Sequence, residues 1–344
     1  MMAVVGVKSL EELMKLTVPA NVLDPEPYKI PGGEIPEAES ESILLKKIQQ
    51  IAEKNKLNKC YIGGGYYGTI TPQVIARNVL ENPNWYTAYT PYQGEISQGR
   101  LEVILNFQTL CTELAGLEVA NASLLDEGTA CAEAMMMCYA LNGQKRNTFF
   151  VADNVFPQSI EVVKTRAENA GIKVIVGDAN SFDFSAVKDD LFGALLQSPD
   201  NYGIVHNYKG LIENLKNIAG KDFKVVIASD PMALLKTATP GEQGADIAVG
   251  SMQRFGVPMG FGGPHAAFMV THNANIRKMP GRLIGISKDR FGDPVFRMTL
   301  QTREQHIKRE KATSNICTAQ VLLANIAAFY AIYHGKQVNI DVFF

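Results

Sequence analysis

The sequence predicts an α/β fold in which helices cover a mainly parallel β-sheet. From about residue 100 onward, apolar runs of strand length alternate with longer stretches that have the spacing of amphipathic helices. This alternation is typical of β-α-β units, in which a helix connects two parallel strands. The 344 residues show no internal repeat, and their number suits one large domain or two domains that share an interface.

An N-terminal helical arm with a linker is expected to occupy residues 1–100. Ser9 is a suitable cap for a short amphipathic helix that ends at Leu16, and a second helix is predicted over Ser40–Asn55. Residues 24–40 lie between the two helices and are rich in proline, glycine and acidic residues. This composition is typical of an extended linker that crosses a surface.

The large domain is expected to span residues 101–335, and a tail of residues 336–344 fits no element of it. Its strands are predicted at Thr148–Ala152, Lys173–Val176, Ala194–Gln197 and Lys224–Ala228. Its helices are predicted at Glu102–Leu117, Ala130–Leu141 and Gln158–Ala170. The apolar run Val321–Tyr333 contains Asn325 and is shorter than the roughly 20 residues of a membrane span, so a buried helix is expected there.

The composition argues against several classes of partner. The formal net charge is −2, and neither half of the chain is strongly basic or acidic. A nucleic acid or an anionic membrane surface is therefore not expected as the main partner. The five cysteines form no CxxC pair and the five histidines show no ligand spacing, so a reduced compartment and no bound metal are expected.

A glycine-rich stretch matches the GxGxxG pattern of dinucleotide-binding proteins through Gly63, Gly65 and Gly68. That fold also requires a preceding strand and a helix that opens on the third glycine. Thr71 is a good N-cap and Pro72 a good first-turn residue, so the helix is expected to begin later. A flexible turn is favoured, and a dinucleotide-dependent oxidoreductase remains an alternative.

Two positions have the chemistry of a pyridoxal-phosphate (PLP) site of the aminotransferase type. Gly128 and Thr129 are expected at a helix N-terminus, where backbone N–H groups favour an anion such as phosphate. The neighbouring carboxylates of Asp126 and Glu127 would repel a phosphate, which favours plain helix capping. Asp230 ends a predicted strand, where an acid can support a pyridine nitrogen.

Three other segments with polar residues have interpretations that need no catalytic role. The loop Tyr86–Arg100 combines aromatic and polar residues, which is typical either of the wall of a site or of a surface loop with packed tyrosines. The mixed charge run Gln301–Lys311 predicts a solvated helix face. Cys317 has no basic neighbour in sequence and is expected to be packed rather than nucleophilic.

The stretch Gly250–His265 raises the question of which residue could act as a nucleophile. It follows the apolar run Gly244–Val249 and is rich in glycine, as are many active-site loops. The stretch contains no lysine and no cysteine, which leaves Ser251 as its candidate nucleophile.

Seven long stretches occur in the order in which one enzyme family carries them. They are TVPANV (17–22), GGGYYGT (63–69), YTPYQGEISQGRLE (89–102), LLDEGTACAEAM (124–135), PGEQGADIAVGSMQRFGVPMGFGGPHAAF (240–268), MPGRLIG (279–285) and QTREQHIKREKATSNICTAQVLLANIAAFYAIYHG (301–335). With them the chain resembles the N-terminal half of the P-protein of the glycine cleavage system, glycine dehydrogenase (decarboxylating). The resemblance implies an aminotransferase-like large domain, that is, the fold of PLP-dependent transferases of fold type I.

In that family two homologous halves pair, and the C-terminal half carries PLP on the lysine of a His-Lys-Thr-Phe motif. Met252-Gln253-Arg254-Phe255 takes the place of that motif, so Gln253 occupies the lysine position. An amide cannot form the covalent link to PLP, and no catalytic residue is expected in this chain. Gly128, Thr129 and Asp230 become candidates for a vestigial cofactor site.

The resemblance further implies a function that is shared between the two halves. Glycine would lose CO₂ with the help of PLP on the partner half, and the aminomethyl group would pass to the lipoyl arm of the H-protein. This half would supply scaffold and part of the wall between the halves, for which Tyr92, Gln93 and Glu95 are the candidates. The expected compartment is the mitochondrial matrix in a eukaryote and the cytoplasm in a bacterium.

The resemblance also implies that the chain departs from the family's N-terminal half in its extent. A short upstream segment and most of the small C-terminal domain, which follows residue 335 in the family, are expected to be missing. A fragment, a truncated gene model and an isoform are all open interpretations, and the chain alone is expected to be inactive. A second hypothesis is an interaction-only role, in which the chain pairs with the PLP-bearing half without supporting catalysis.

Overall fold

The computed structural model describes residues 1–24, 38–263, 265–313, 316, 318 and 320–341, with side chains up to residue 335 in the last range. The chain divides into two compact units, Met1–Lys59 and Cys60–Phe344. The domain boundaries expected at residues 100 and 335 remain predictions. Most of the predicted linker, as well as Cys317, lies outside the described residues.

The first unit contains the helices α1 (Met2–Val5), α2 (Leu10–Thr17) and α3 (Glu41–Ala52). The Ser9 side chain accepts a hydrogen bond from the backbone N–H of Glu12 (3.1 Å), which caps α2 as predicted. Both helices predicted in this region are confirmed, although α3 ends at Ala52 rather than at Asn55.

Several helices of the second unit begin or end at residues with recognisable capping chemistry. The α-helices described in this unit are α4 (Gln73–Ile75), α5 (Gln98–Ala115), α6 (Glu127–Leu141), α7 (Pro157–Ala170), α8 (Lys209–Ala219), α9 (Gln305–Lys308) and α10 (Val321–Asp341). Asp126 caps α6 with its side chain, and Pro157 occupies the first turn of α7. Helices α5 and α7 end at Gly116 and Gly171, whose φ angles of 65° and 67° suit glycine.

Most strands of the second unit belong to one mixed sheet. The strands of this unit are β1 (Val119–Ala120), β2 (Thr148–Ala152), β3 (Lys173–Gly177), β4 (Leu191–Ser198), β5 (Lys224–Ser229), β6 (Ile247–Ser251), β7 (Ala267–Thr271), β8 (Ile284–Lys288) and β9 (Pro294–Met298). The order in the seven-stranded sheet is β1-β7-β6-β5-β4-β2-β3, and β8 pairs with β9 separately. Strands β2 to β6 run parallel, whereas β7 and β1 pair antiparallel. The predicted mainly parallel sheet and its four predicted strands, β2 to β5, are confirmed.

The register of the sheet brings the ends of three strands together. Gln197 in β4 lies opposite Ala228 in β5, which lies opposite Val249 in β6. All three strands run in the same direction and end one or two residues beyond this row. The loops that follow them therefore meet at the carboxyl edge of the sheet, where open α/β sheets build their sites.

Apolar side chains cover both faces of the sheet. Val249 and Met269 belong to one buried cluster, while their neighbours Ala248 and Val270 belong to another. The first cluster includes residues of α6 and α7, and the second includes residues of α5 and α10. Because successive side chains of a strand point to opposite faces, these helices cover the two sides of the sheet.

The apolar run that predicted a buried helix forms the first part of α10. Ala324, Ala327 and Tyr330 are each at most 1% exposed. Gly335 interrupts the helix with φ 69° and ψ 175°. Among the helices that the structure describes, none is long and apolar enough to cross a membrane.

The prediction that Thr71 caps a helix is wrong. Helix α4 begins at Gln73 with Pro72 at the cap position, and no side chain caps it. The Thr71 hydroxyl instead donates to the backbone carbonyl of Gly256 (2.7 Å). The Thr71 hydroxyl therefore bonds to a residue far away in sequence instead of capping the adjacent helix.

The prediction of a solvated helix face over Gln301–Lys311 is wrong for Arg303 and Glu304, while residues 305–311 are exposed. The run consists of two 3-10 turns and the short helix α9, and it buries Arg303 and Glu304 (7% and 4% exposed). Arg303 donates to the carbonyls of Met279 and Gly281, and Glu304 pairs with Arg282. Burial of these charges is possible because each has a partner from another segment.

Candidate functional site

The candidate site lies at the carboxyl edge of the sheet, where β4, β5 and β6 end. Gln253 lies in the 3-10 turn Met252–Arg254 after β6, and Asp230 directly follows β5. Gln197 is near the end of β4, and Glu127 opens α6. These side chains line one small cavity, which we call the Gln253 cavity. The topology thus gathers polar residues from four separate segments.

Gln253 fills the position that the resemblance gives to the cofactor lysine. Its side chain is 1% exposed, and its Nε2 donates to the carbonyl oxygens of Val257 (2.9 Å) and Tyr67 (3.2 Å). Its Oε1 is buried without a hydrogen-bond partner among the described residues. The amide therefore links the loop after β6 to the glycine-rich stretch before α4. An amide is not a nucleophile, so its contribution at this position is structural.

Asp230, the candidate partner of a pyridine nitrogen, is already paired within the chain. Its Oδ2 accepts from Nη1 of Arg254 (2.7 Å), and its Oδ1 accepts from the backbone N–H groups of Met232 (2.7 Å) and Ala233 (3.3 Å). The Arg254 guanidinium also lies 4.9 Å from the centroid of the Tyr67 ring, within cation–π range. Arg254 thus supplies the positive charge next to Asp230, whereas in a PLP site the pyridine nitrogen of the cofactor would lie there.

Glu127 carries a strongly perturbed carboxyl group. Burial raises its pKa to about 8, the charge of Asp230 adds to the increase, and the hydrogen bond from Gln197 opposes it. Gln197 donates from Nε2 to Glu127 Oε1 (2.9 Å) and accepts at Oε1 from the backbone N–H of Phe156 (3.0 Å). Burial also raises the pKa of the nearby Tyr67 hydroxyl. At neutral pH the Glu127 carboxyl is therefore mainly protonated, which avoids a second negative charge beside Asp230.

The N-terminus of α6, which contains Gly128 and Thr129, is capped by the chain itself. Oδ1 of Asp126 accepts from the backbone N–H of Thr129 at 2.7 Å. A Cβ at Gly128 would lie 3.3 Å from Val162 Cγ2 and 3.6 Å from Ser159 Cα, so the absence of a side chain allows α6 to pack closely on α7. The helix capping that the sequence favoured is present, and a phosphate would meet a carboxylate there.

The glycine-rich stretch lines the Gln253 cavity through Gly65. Its φ is 89°, and a Cβ would lie 3.1 Å from the Phe156 ring, so both the backbone and the available space require glycine. Gln158 Nε2 donates to the carbonyl of Gly64 (2.6 Å) and fixes the turn. In the part of the chain that the structure describes, no strand directly precedes the stretch and no helix begins at Gly68. The dinucleotide alternative therefore lacks its structural context.

Ser251, the candidate nucleophile of its stretch, caps the turn that carries Gln253. Its Oγ accepts from the backbone N–H of Gln253 (3.2 Å) and lies 2.9 Å from Nδ1 of His265. Burial lowers the pKa of His265, so its ring is mainly neutral at neutral pH. Ser251 is only 8% exposed, and its contacts position the backbone of the turn.

The Gln253 cavity does not fit the PLP that the fold implies. Its volume is ≈ 20 Å³, which is about the space for one water molecule. PLP would need a lysine at 253, an unoccupied anion site at α6 and an available carboxylate at 230. The chain has an amide, the Asp126 cap and the Arg254–Asp230 ion pair in these places.

Tyr92, Gln93 and Glu95 do not line the Gln253 cavity. Tyr92 is partly buried, and the Arg282 guanidinium lies 5.7 Å from its ring centroid. Gln93 and Glu95 are exposed, and Gln93 Oε1 accepts from the hydroxyl of Tyr89 (2.7 Å). A role for the three residues as a wall toward a partner remains a proposal.

Sequence reasoning missed Arg254, Gln197 and Tyr67 as parts of the site. Arg254 carried a usable signal, because it directly follows the lysine position and Asp230 needs a cation. Gln197 carried a weaker one, as a polar residue at the end of an apolar strand. Tyr67 carried none, since its contact with Arg254 depends on the packing of two segments that lie far apart in sequence.

The parallel sheet, its covering helices and the polar edge that holds Gln253 define the architecture of PLP-dependent enzymes of fold type I. A sphingosine-1-phosphate lyase from Burkholderia pseudomallei shares this fold at 13% identity, with a TM-score of 0.55 over 92% of this chain and 72% of the lyase chain. The family model described as "Glycine cleavage system P-protein" matches residues 1–342. The chain belongs to this family, and both the predicted fold class and the predicted family are confirmed.

Similar proteins agree with this assignment. The glycine dehydrogenase (decarboxylating) of Nostoc punctiforme is 54% identical over 98% of this chain, and that of Idiomarina loihiensis is 57% identical over 98%. These matches cover 33% and 34% of the relatives, so the chain spans about a third of the length of the curated relatives it matches. The crystal structure of an inhibitor-bound glycine decarboxylase (P-protein) superposes with a TM-score of 0.87 at 34% identity, over 99% of this chain and 76% of that chain.

Proposed function

We propose that the chain is the half of glycine decarboxylase that does not carry PLP. The observation that supports this most directly is Gln253, a buried amide at the lysine position of the family. The Arg254–Asp230 ion pair supports it further, because it occupies the carboxylate that would otherwise support a pyridine ring. PLP-dependent chemistry in the assembled enzyme is then the task of a partner half, with PLP supplying the electron sink for loss of CO₂ from glycine.

In this proposal the present chain contributes structure to the reaction. Gly128, Thr129 and Asp230 are vestigial positions of a cofactor site, and they now serve helix packing, helix capping and ion pairing. The assembled enzyme would decarboxylate glycine and transfer the aminomethyl group to the lipoyl arm of the H-protein. A rigid surface toward the partner half is what this chain would add.

We further propose that Tyr92, Gln93 and Glu95 form part of the wall between the halves. The exposure of Gln93 and Glu95 supports this, because both side chains are available to a second polypeptide. The segment that carries them is fixed at its end, where Gln98 Nε2 donates to the carbonyls of Gly94 (2.5 Å) and Phe296 (2.9 Å). A fixed loop can present side chains in a defined position to a partner.

A reconstitution experiment tests the proposed function. The purified chain and a PLP-bearing half from a close relative are assayed separately and together for the glycine–bicarbonate exchange reaction with lipoylated H-protein. We expect no exchange with the chain alone and much faster exchange with the mixture than with the PLP-bearing half alone. Exchange by the chain alone would contradict the proposal, and co-purification of the halves without exchange would indicate an interaction-only role.

The compartment follows from the source of the chain. The relatives named above are bacterial, which supports the cytoplasm as the compartment of a bacterial chain. For a eukaryotic chain we propose the mitochondrial matrix. The partners in both cases are the PLP-bearing half, the H-protein and glycine.

A further inference from the structure

A second cavity opens at the loop before α5, and we call it the aromatic pocket. Its volume is ≈ 380 Å³, which is in the range of small-molecule sites. The side chains that matter for binding are those of Trp85, Tyr86, Tyr89, Arg100 and Asn325. None of the five lines the Gln253 cavity, so the pocket is a separate feature of the molecule.

Arg100 places a positive charge in the wall of this pocket. Its Nη1 donates to the carbonyl of Tyr89 (3.0 Å), and its Nη2 donates to Ser97 Oγ (2.7 Å) and to the carbonyl of Thr90 (3.4 Å). These bonds use both N–H donors of Nη2 and one of Nη1, which leaves the Nε–H and one Nη1 N–H as separate donors. No acidic side chain among the described residues forms an ion pair with Arg100, and burial lowers its pKa without an opposing acid. The pocket thus has a cation but lacks the matching anion.

Asn325 adds a polar group that lacks a partner. Asn325 is 1% exposed, and its Oδ1 is buried without a hydrogen-bond partner among the described residues. Neither end of the amide bonds to any residue that the structure describes. An unsatisfied buried amide is costly, and a bound ligand or water relieves that cost. The amide offers such a ligand either a donor or an acceptor.

Aromatic side chains form much of the remaining wall. Trp85 packs edge to face on Phe329, with ring centroids 5.3 Å apart and an interplanar angle of 89°. Tyr86 and Tyr89 are 49% and 47% exposed, so their rings have free surface. Because Arg100 binds the carbonyls of Tyr89 and Thr90, the loop is fixed before any ligand arrives, which favours binding.

We propose that the aromatic pocket binds a carboxylate that is carried on a small apolar body. Arg100 would bind the carboxylate through its positive charge and one remaining N–H donor, Asn325 would bind a polar atom of the ligand, and the aromatic rings would pack on the apolar part. A free small acid and an acidic side chain of a polypeptide both offer this chemistry. The proposal uses no residue of the Gln253 cavity, although Tyr89 links the pocket to the proposed wall through its hydrogen bond to Gln93 (2.7 Å).

The fluorescence of Trp85 tests the proposal directly, because Trp85 is the only tryptophan of the chain. The full 344-residue chain is titrated with sodium butyrate, with its uncharged counterpart butyramide, and with the capped peptide acetyl-Ala-Glu-Ala-amide. We expect a saturable change with at least one of the carboxylates, and binding of butyramide that is weaker than that of the tighter-binding carboxylate by at least about tenfold. Tighter binding of the peptide would identify a polypeptide as the source of the carboxylate, and tighter binding of butyrate would identify a free acid.

Variants separate a binding role of Arg100 from a purely structural one. Arg100→Gln should weaken binding of the tighter-binding carboxylate by at least about tenfold, whereas substitution of the exposed Arg290 in Arg290→Gln should leave it unchanged. Arg100 also holds the loop, so Asn325→Leu provides a second test that keeps this anchor, and it should weaken binding as well. Binding of butyramide that is as tight as that of the tighter-binding carboxylate would overturn the proposal. The proposal would also be overturned if a folded Arg100→Gln variant bound the carboxylate as tightly as the wild type does, or if none of the three probes gave a saturable change.

Discussion

At the scale of single residues, the carboxylates around Gln253 all find partners inside the chain. Asp230 binds Arg254, and Asp126 accepts the backbone N–H of Thr129. Glu127 accepts from Gln197 and is mainly protonated at neutral pH. Buried carboxyl groups are stable only when they are satisfied, and these three are satisfied without a cofactor, whereas Gln253 Oε1 lacks a partner among the described residues. The acidic residues around Gln253 therefore have hydrogen-bond or ion-pair partners within the chain and do not need a ligand to provide them.

Glu127 predicts a pH dependence of stability. Its pKa is raised to about 8 from an ordinary value of 4.5, so the folded state binds the proton more tightly than the unfolded chain. Its favourable contribution is complete below about pH 4.5 and is lost as the pH rises toward 8. The Glu127→Gln variant remains uncharged and should gain stability relative to the wild type over this range, by at most about 1.4 kcal/mol per pH unit.

Urea unfolding at several pH values between about 5 and 8 measures this effect. The Glu113→Gln substitution, which removes an exposed carboxyl group, is the matched control and should change stability little. The amide oxygen that Glu127→Gln introduces can still accept the hydrogen bond from Gln197, so the variant is a fair mimic of the protonated acid. Parallel pH profiles for the wild type and Glu127→Gln would show that the folded protein does not hold this proton.

At the scale of elements, the sequence predicted those parts of the fold that depend on local patterns. Strands β2 to β5 and helices α5 to α7 follow from apolar periodicity and from glycine and proline signals. What local patterns could not predict are contacts between distant segments, such as Thr71 with Gly256 and Arg254 with Asp230. For the same reason, the position of Gln253 was found from a family motif, while its hydrogen bonds to Tyr67 and Val257 were not.

The close packing of strand β6 predicts that alanine at Gly250 is more destabilising than alanine at Gly210. A Cβ at Gly250 would overlap the carbonyl oxygen of Ser229 and lie 2.8 Å from the Phe268 ring, so Gly250→Ala must move β6 away from its neighbours. We expect a loss of about 1–3 kcal/mol in the free energy of unfolding. Gly210→Ala is the control, because nothing lies within 4 Å of its Cβ and alanine favours the helix α8. Thermal and chemical unfolding measure both, and equal stability of the two variants would contradict the prediction.

At the scale of the whole molecule, a fold built for PLP enzymes is combined with a site that excludes PLP. The sheet, its register and the helix N-terminus at its carboxyl edge all follow the fold type I plan. The differences concern a few side chains around a cavity of ≈ 20 Å³. Fold and chemistry are therefore separate properties of this chain, and the chemistry must be read from the site.

This arrangement predicts that restoring the lysine alone does not restore the cofactor. PLP added to the wild type or to Gln253→Lys should leave the unfolding temperature unchanged, because the cavity, the Asp126 cap and the Arg254–Asp230 pair still exclude it. Borohydride reduction followed by peptide mapping detects any covalent adduct. A PLP-bearing half from a relative is the positive control, and an adduct mapped to position 253 of the variant would refute the prediction.

The Arg254–Asp230 ion pair also constrains how the molecule can evolve. A mutation that removes Arg254 leaves a carboxylate whose side chain is 14% exposed without its cation, which lowers stability before any cofactor can be gained. A lysine at 253 brings no benefit while the pair persists. Each single step toward a cofactor site is therefore expected to lower stability or to bring no cofactor, and under the proposed function the ion pair keeps this half dependent on its partner.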